Sequence, residues 1–261
     1  MIPEHHLLSP RLSPRLTRPP ILAEGGLLYT DGDTGYIPHE SGTLLMRVVT
    51  GPRVIVGLTN DLQLLGPKIV RWPWRLHGRL KICHGATVSY GTGILISPRH
   101  VLTAAHCVCP NGEWADEVLF DLALDGAVDS NKRVAAARLT VPADWPGSLA
   151  VTDDIAMLEL GTNLGSQHGW MGMVAAPDSR LKGRKARIGG YGGGAAKAVF
   201  HRKKIKKVWD DQLKVNIDTV QGQSGAPLWL DVDEVGTFIS GVLSRDDGAL
   251  NVAVRITPAV L

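Results

Sequence analysis

The feature that most restricts the fold of this chain is a series of short apolar runs separated by turn-forming residues. The runs begin after Arg53, are rich in β-branched residues and have the length of single strands; they lie at 54–56, 93–96, 155–158, 238–239, 242–243 and 252–254. Leu213, Val215 and Ile217 alternate with polar residues, which is the period of a half-buried strand. Helical periodicity is scarce. The pattern predicts an all-β chain built as an antiparallel sandwich or a pair of barrels.

The amino-acid composition restricts the possible folds further. A chain of 261 residues can form one large or two small domains with a real core. The 30 glycines and 16 prolines favour many turns over a helical bundle. No stretch approaches the roughly 18 apolar residues that a membrane-spanning helix needs. The three cysteines, Cys83, Cys107 and Cys109, cannot form a disulfide scaffold, and we expect mostly reduced thiols.

The first 53 residues differ from the rest of the chain in composition and in the pattern of apolar residues. Arg11, Arg15 and Arg18 alternate with prolines, and no apolar stretch of about 7–15 residues follows, as a secretory signal peptide would require. We therefore predict a weakly structured leader or propeptide at 1–53 and a folded domain at 54–261.

A basic segment runs from Arg180 to Lys207 and contains eleven Lys or Arg residues and no Asp or Glu. Such a run could attract nucleic acid or acidic partners. A solvated loop or an exposed strand face is the explanation that we favour for this run. Because the run lacks the interleaved aromatic residues of a base-stacking surface, we expect no nucleic-acid binding.

Three short segments carry residues suited to catalysis. His106 follows small residues directly after an apolar run, Asp154 lies at the start of another, and Ser224 sits in the turn Gly222-Gln223-Ser224-Gly225. A Ser hydroxyl is a poor nucleophile near pH 7, so a His must take its proton and a carboxylate must orient that His. The negative charge that develops on the attacked carbonyl needs backbone N–H donors, which the amides of Gly222 and Ser224 could supply as an oxyanion hole. Each segment alone is weak evidence for catalysis. The specific evidence is that all three occur in one chain in the order His, Asp, Ser.

These segments resemble a known family. Residues 103–107, 154–158 and 222–227 are similar to the three signatures of the chymotrypsin-fold serine peptidases, and the resemblance runs from about 54 to 261. Residues 72–75, 78–80, 187–192, 216–219 and 251–257 resemble the bacterial-type glutamyl endopeptidase branch more narrowly. The resemblance implies two antiparallel six-stranded β-barrels, at about 54–165 and 166–261, with the active site in the cleft between them. It also implies a secreted or extracytoplasmic enzyme, although we recognise no signal peptide.

Some positions depart from the family pattern. Gln223 stands where the trypsin branch has an Asp that pairs with a freshly cut N-terminus, so activation of that type is not expected. The resemblance instead suggests processing near Arg53, leaving Val54 or Ile55 as the new N-terminus. Gly91 occupies the position where the trypsin branch has the cysteine partner of Cys107.

The substrate pocket is the least determined part. By resemblance we expect its walls to include six residues, namely Asp218, Thr219, Gln221, Leu243, Ser244 and Asp246. Asp218 resembles the pocket base that selects Arg or Lys in trypsin, but Asp-Thr at this place also occurs in the glutamyl branch. Leu243 stands where that branch has a pocket His, so neither preference is decided. Ser244 is expected behind Asp154.

The sequence thus predicts a serine endopeptidase that works through an acyl-enzyme, with a polypeptide as substrate and a monomeric state. The alternative is a catalytically silent, protease-like binding protein that uses the basic segment 180–207. No cofactor or metal is expected, since the glycines at 189–194 lack the Lys-Ser/Thr of a phosphate-binding loop.

Overall fold

Alternation of apolar and polar residues gives this chain strands with one buried face, and eighteen strands are formed in the part of the chain that the structure describes. The computed structural model describes residues 62–192, 194–232, 236–247 and 250–261, and the backbone alone of 21–23, 27–29 and 53–54. Most of the predicted leader therefore lies outside the described residues.

Four short strands come before the barrels; they are β1 (Ile21–Ala23), β2 (Leu27–Tyr29), β3 (Arg53–Val54) and β4 (Gln63–Leu64). The strands of the first barrel are β5 (His77–His84), β6 (Thr87–Leu95), β7 (His100–Thr103), β8 (Glu117–Leu122), β9 (Arg133–Thr140) and β10 (Ala156–Leu160). They close an antiparallel barrel in the order β10, β7, β6, β5, β8, β9.

The strand β11 (Val174–Ala175) follows, and it pairs with β2. The strands after it are β12 (Lys185–Tyr191), β13 (Ala198–Val208), β14 (Gln212–Val215), β15 (Thr219–Val220), β16 (Pro227–Val232), β17 (Gly236–Asp246) and β18 (Asn251–Arg255). The order β12, β16, β17, β18, β14, β13 is closed by pairing of β12 with β13. This is the second six-stranded antiparallel barrel, so the predicted fold class is confirmed.

The helices are single turns: α1 (Ala105–Val108), α2 (Trp145–Ser148), α3 (Gly165–His168) and α4 (Asp178–Leu181), with 3₁₀ turns at Gly66–Val70, Trp74–Leu76, Pro110–Gly112, Ser130–Lys132 and Val151–Asp153. No helix of the described residues is long and apolar enough to span a membrane.

The two barrels have separate cores joined along one side. The first core gathers side chains such as Leu80, Ile94 and Phe120, and it continues into Trp229 and Ile239 of the second barrel. The second core contains Leu213, Val215 and Ile217, all fully buried as their alternation predicted.

Two small strands connect segments that the sequence assigned elsewhere. Gln63–Leu64 falls within the range expected for the first barrel, yet it pairs with Val199 and Phe200 of β13 in the second barrel. Arg53–Val54, at the predicted processing point, pairs with Thr219–Val220.

The basic segment 180–207 lies mainly on β12 and β13, which form adjacent strands of the second barrel. Its Lys and Arg side chains at 185, 202, 204 and 206 are exposed. The exposed strand face that the sequence allowed is therefore what is found. The three cysteine thiols are free, as expected.

Candidate active site

Strand pairing brings His106 and Asp154 together. His106 lies on α1, just after β7, and Asp154 ends a 3₁₀ turn just before β10. Strands β7 and β10 are antiparallel neighbours with Thr103 opposite Ala156, so the end of one and the start of the other meet at the same barrel edge.

The pair is held by a complete set of hydrogen bonds. The backbone N–H of His106 donates to Asp154 Oδ1 at 2.8 Å, and the ring Nδ1 lies 2.7 Å from Asp154 Oδ2. The Ser244 hydroxyl donates to the same Oδ2 at 2.5 Å. Asp154 is only 3% exposed, and Ser244 lies behind it as the resemblance implied.

The charges of this pair follow from those contacts. Burial alone would raise the pKa of Asp154, but the hydrogen bonds from His106 and Ser244 hold it below its ordinary value, so the carboxylate stays ionised. Burial disfavours the charged imidazolium of His106, yet the Cys107 sulfur and the Asp154 carboxylate outweigh it. The pKa of His106 therefore lies well above its ordinary 6.5.

Ser224 comes from the second barrel, in the turn between β15 and β16, and it lines the same cleft as His106 and Asp154. Gly222 and Gly225 on either side of it have φ of +98° and +82°, a region that favours glycine. A Cβ on Gly225 would lie 2.1 Å from Thr103 Oγ1 and 2.4 Å from Thr92 O, so no larger residue fits there.

Backbone donors around Ser224 divide into two groups. The N–H groups of Gln223, Gly225 and Ala226 donate to carbonyls of the protein. Within the described residues, those of Gly222 and Ser224 have no such acceptor. The two amides proposed from the sequence for the oxyanion are thus the two left available.

The turn is anchored to the first barrel through Thr92, a fully buried residue that the sequence analysis did not single out. Its backbone N–H donates to Ser224 O at 2.9 Å, and its hydroxyl donates to Gly222 O at 3.0 Å. Its hydroxyl also accepts from the N–H of Tyr191 at 2.9 Å. The glycines that flank Thr92 in the sequence, which permit close approach of another segment, were the available signal.

Gln223 also stabilises the turn. Its side-chain Oε1 accepts from the N–H of Val220 at 2.9 Å, and its Nε2 lies 3.4 Å from Val199 O. Gln223 is 1% exposed, so its amide replaces the salt-bridging Asp of the trypsin branch with internal hydrogen bonds.

A cleft of about 470 Å³ surrounds these residues. Five of the six predicted pocket residues line it, namely Thr219, Gln221, Leu243, Ser244 and Asp246. The structure does not bring Asp218 to the cleft. Asp218 is 1% exposed, its backbone N–H donates to His201 Nδ1 at 2.8 Å, and its carboxylate lies 3.6 Å from that nitrogen. Asp218 therefore lies behind the cleft wall, where it is bound to a buried His.

The cleft also has walls that the sequence did not predict. On one side lie the apolar residues Trp145, Leu149 and Val151. Leu149 has a left-handed backbone, with φ +48° and ψ 28°, and its side chain is 40% exposed. Asn251 and the charged Arg245 line other parts of the cleft.

Comparisons with known proteins identify the family of this chain. The family model of the trypsin-like peptidase domain matches residues 91–236, a range that includes His106, Asp154 and Ser224. The chain belongs to this trypsin-like peptidase family. It is a serine peptidase, and so a hydrolase.

Two curated relatives come from Bacillus. The extracellular metalloprotease of Bacillus subtilis (strain 168) is 24% identical over 211 residues, which are 79% of this chain and 67% of the relative. The glutamyl endopeptidase of Bacillus licheniformis is 28% identical over 142 residues, which are 53% of this chain and 44% of that relative. Among the residues described here, no three His, Cys, Asp or Glu side chains are grouped so that they could hold a metal.

A solved Glu endopeptidase in complex with MPD superposes with a TM-score of 0.67 at 22% identity, covering 79% of this chain and 95% of that one. At this identity the likeness concerns the fold. Together with the relatives, it confirms the predicted resemblance to the chymotrypsin fold and its glutamyl endopeptidase branch.

Proposed function

We propose that this serine peptidase is an endopeptidase that cleaves polypeptides through an acyl-enzyme, with Ser224 as nucleophile, His106 as general base and Asp154 as the orienting carboxylate. The observation that supports the proposal is the His106–Asp154 pair, joined by two hydrogen bonds, in one cleft with Ser224.

In the first half of the reaction, Ser224 Oγ attacks the carbonyl carbon of the scissile peptide bond and its proton passes to His106 Nε2. Asp154 keeps the proton of His106 on Nδ1, so that Nε2 is free to accept, and it stabilises the imidazolium that forms. The amides of Gly222 and Ser224 bind the oxyanion. The C–N bond then breaks, and His106 gives its proton to the leaving amine.

In the second half, His106 accepts a proton from water, and the resulting hydroxide attacks the ester carbonyl. The C–Oγ bond breaks, the proton returns to Ser224, and the carboxylic acid product leaves. Every proton taken by His106 is returned, and the enzyme ends in its starting state.

Labelling with a fluorophosphonate tests this function. We expect covalent labelling of the wild-type protein and none of Ser224→Ala, with the circular dichroism spectrum of the variant unchanged. A wild-type protein that stays unlabelled after removal of residues 1–53, beside a labelled control protease, would overturn the proposal and favour a catalytically silent binding protein. A cleavage profile on a peptide library would then measure which side chains the cleft accepts.

We also propose that residues 1–53 are a leader removed near Arg53. This is supported by the pairing of Arg53–Val54 with Thr219–Val220, because both residues of β15 line the cleft. A new N-terminus at Val54 would lie beside that wall. Mass spectrometry of the active protein should find an N-terminus at Val54 or Ile55, and Arg53→Gln should reduce processing; an active protein that retains residues 1–53 would contradict this.

A further inference from the structure

The strongest unexplained feature outside the cleft is a row of like charges on the outer face of the second barrel. Lys185 lies directly opposite Lys204, and Arg187 directly opposite Arg202, across the pairing of β12 with β13. Directly opposed side chains of an antiparallel pair project from the same face. We call Lys185, Arg187, Arg202, Lys204 and the exposed Lys206 the basic face.

The charged residues of the basic face lie on two paired strands whose side chains alternate between the core and the outside. On β12 the neighbouring Ala186 and Ile188 are buried in the second core, and on β13 Ile205 is buried in it while Lys203, between Arg202 and Lys204, is half-buried. The strands therefore place apolar side chains inward and basic ones outward in register. Like charges directly opposite each other destabilise a sheet, so the fold carries a cost that an anionic partner would relieve.

The basic face has little internal compensation. Arg187 donates to Asp231 Oδ2 at 2.9 Å. Within the described part of the chain, Lys185, Lys204 and Lys206 have no hydrogen-bond or ion-pair partner, and Arg202 is attracted by the Asp231 carboxylate without a hydrogen bond to it. Four exposed cations are therefore available to a ligand.

We propose that the basic face is an exosite for an extended acidic segment of a polypeptide substrate. An extended peptide repeats its side chains on one side every second residue, at about 6.6–6.8 Å, and Arg202 and Lys204 follow β13 with the same repeat. Lys206 comes next, in the β-bulge between Ile205 and Lys207. A segment with carboxylates at alternate positions can thus place one against Arg202 and the next against Lys204.

The position of the basic face relative to the site fits a substrate. Strand β13 begins beside the nucleophile turn, where Gln223 Nε2 contacts Val199 O. Residues 202–206 lie roughly 10–23 Å further along that strand at about 3.3 Å per residue. A substrate segment outside the cleft can reach them while another segment is cleaved.

The face suits an acidic peptide better than nucleic acid. Among its described neighbours, the aromatic residue facing Arg187 is Trp229, which is 3% exposed and covered by the Arg187 guanidinium at 4.6 Å from the ring. It offers no open ring for stacking a base. This inference extends the proposed function by naming a substrate class, and its binding test does not depend on catalysis.

The test uses full-length Ser224→Ala protein and a fluorescein-labelled twelve-residue peptide of alternating Glu and Thr, with binding measured by fluorescence anisotropy. Arg202→Glu with Lys204→Glu should weaken binding by at least roughly tenfold and reduce its salt dependence. The matched control is Arg71→Glu with Lys81→Glu, which makes the same charge change on the first barrel and should leave binding within about threefold. A peptide with the same Glu residues collected in one block should bind several-fold more weakly than the alternating peptide.

The proposal is overturned if both double variants lose binding equally, or if the block and alternating peptides bind alike, since net charge would then explain the attraction. It is also overturned if a 20-base-pair DNA duplex or vesicles of phosphatidylglycerol bind the basic face more tightly than the peptide. Hydrolysis of a short neutral peptide by Arg202→Glu, Lys204→Glu protein with Ser224 intact should equal that of the wild type. This result separates loss of the exosite from loss of the active site.

Discussion

The two halves of the active site are held in different ways. The His106–Asp154 half comes from the first barrel, where the pairing of β7 with β10 and two hydrogen bonds between the residues set its geometry, and Ser244 of β17 in the second barrel adds one more hydrogen bond to the carboxylate. The Ser224 half belongs to the second barrel, and its turn is held against the first barrel by Thr92. The general base is thus positioned mainly by its own barrel, with one hydrogen bond from Ser244 of the other, whereas the nucleophile turn is positioned by the contact of Thr92 across the two barrels.

This difference separates two kinds of damage. Changes within the first barrel should alter the protonation and orientation of His106. Changes at the contact of Thr92 with the nucleophile turn should displace Ser224 and leave the His106–Asp154 pair intact. Each of the following predictions tests one side of that division.

The largest effect should come from Asp154→Asn. An Asn cannot hold the proton of His106 on Nδ1, so kcat/KM should fall by about 10⁴. In the wild type, activity should be lost as the pH falls through a value above 6.5, because the raised pKa of His106 sets the acid limb of kcat/KM. In the variant, that limb should move to lower pH.

Asp153→Asn is the matched control for this change. Asp153 accepts a hydrogen bond from the exposed Ser148 hydroxyl at 3.2 Å and does not contact His106. Its kcat/KM should stay within about twofold of the wild type, as for other exposed polar contacts. A large loss in Asp153→Asn, or a small one in Asp154→Asn, would show that the orienting carboxylate is assigned to the wrong residue.

The second effect concerns the stability of the first barrel. A Cβ on Gly91 would lie 3.0 Å from Cys107 Sγ, which is close to the separation of these atoms across a disulfide with an S–S bond of about 2.05 Å. Gly91→Cys should therefore form a disulfide with Cys107 and raise the free energy of unfolding by about 3 kcal/mol, since it closes a loop of roughly 15 residues. Cys107 Sγ lies 3.8 Å from His106 Nε2 and helps to raise the pKa of His106, so the disulfide should also move the acid limb of kcat/KM to lower pH.

Denaturant unfolding with and without reductant measures this gain, and mass spectrometry detects the bond. Gly91→Ser is the control, since it adds a side chain of similar size that cannot cross-link. A stability gain that survives reductant would contradict the disulfide explanation.

The sequence predicted the first half of the site better than the second. His106 follows one recognisable strand and Asp154 precedes another, so the pairing of β7 with β10 is enough to bring the two residues together. The Ser224 motif was also clear, but the anchor at Thr92 depends on a contact between residues 130 or more positions apart, to which no local pattern points. Such contacts exist only once both barrels are formed.

The substrate cleft shows the same limit. Resemblance placed Asp218 at the base of a pocket, yet in the fold it is buried against His201, seventeen residues earlier on β13. Leu149 could not be predicted as a cleft residue, because a left-handed backbone at a leucine is unfavourable in isolation and is stabilised here by its surroundings. Leu149 and Val151 belong to the segment between β9 and β10, and the conformation of such a connection is the part of a fold that strand periodicity does not determine.

A smaller effect on stability and activity should come from a change at Thr92, which holds the nucleophile turn against the first barrel. Thr92→Val keeps the shape of the side chain but leaves the N–H of Tyr191 and the carbonyl of Gly222 without their partner. Unpaired buried groups cost about 1–3 kcal/mol, so we expect about 2 kcal/mol lower stability and roughly tenfold lower kcat/KM. The acid limb of the pH profile should not move, since His106 and Asp154 are untouched.

Thr103→Val is the comparison variant, because the Thr103 hydroxyl donates to Thr92 O within the first barrel. Thr103→Val should lower the free energy of unfolding by a similar amount, but it should reduce kcat/KM less than Thr92→Val does. If the two variants lose activity equally, the contact between the barrels has no special part in positioning Ser224.

The smallest effect is a dependence of stability on pH that arises at His77, beside the contact between the barrels. The ring of His77 lies 5.4 Å from the ring of Trp74. Trp74 in turn packs on Phe200 and Trp229 of the second barrel. Burial lowers the pKa of His77 to about 4, and hydrogen bonding to backbone carbonyls only partly opposes this. The unfolded chain takes up the proton near pH 6.5 and the folded chain does not, so stability is complete above pH 6.5 and is lost as the pH falls toward 4. By pH 5.5 the loss from this residue should be about 1.4 kcal/mol. His77→Gln should remove that part of the pH dependence in denaturant unfolding at pH 7.5 and 5.5, and an unchanged difference between the two pH values would show that other histidines cause it.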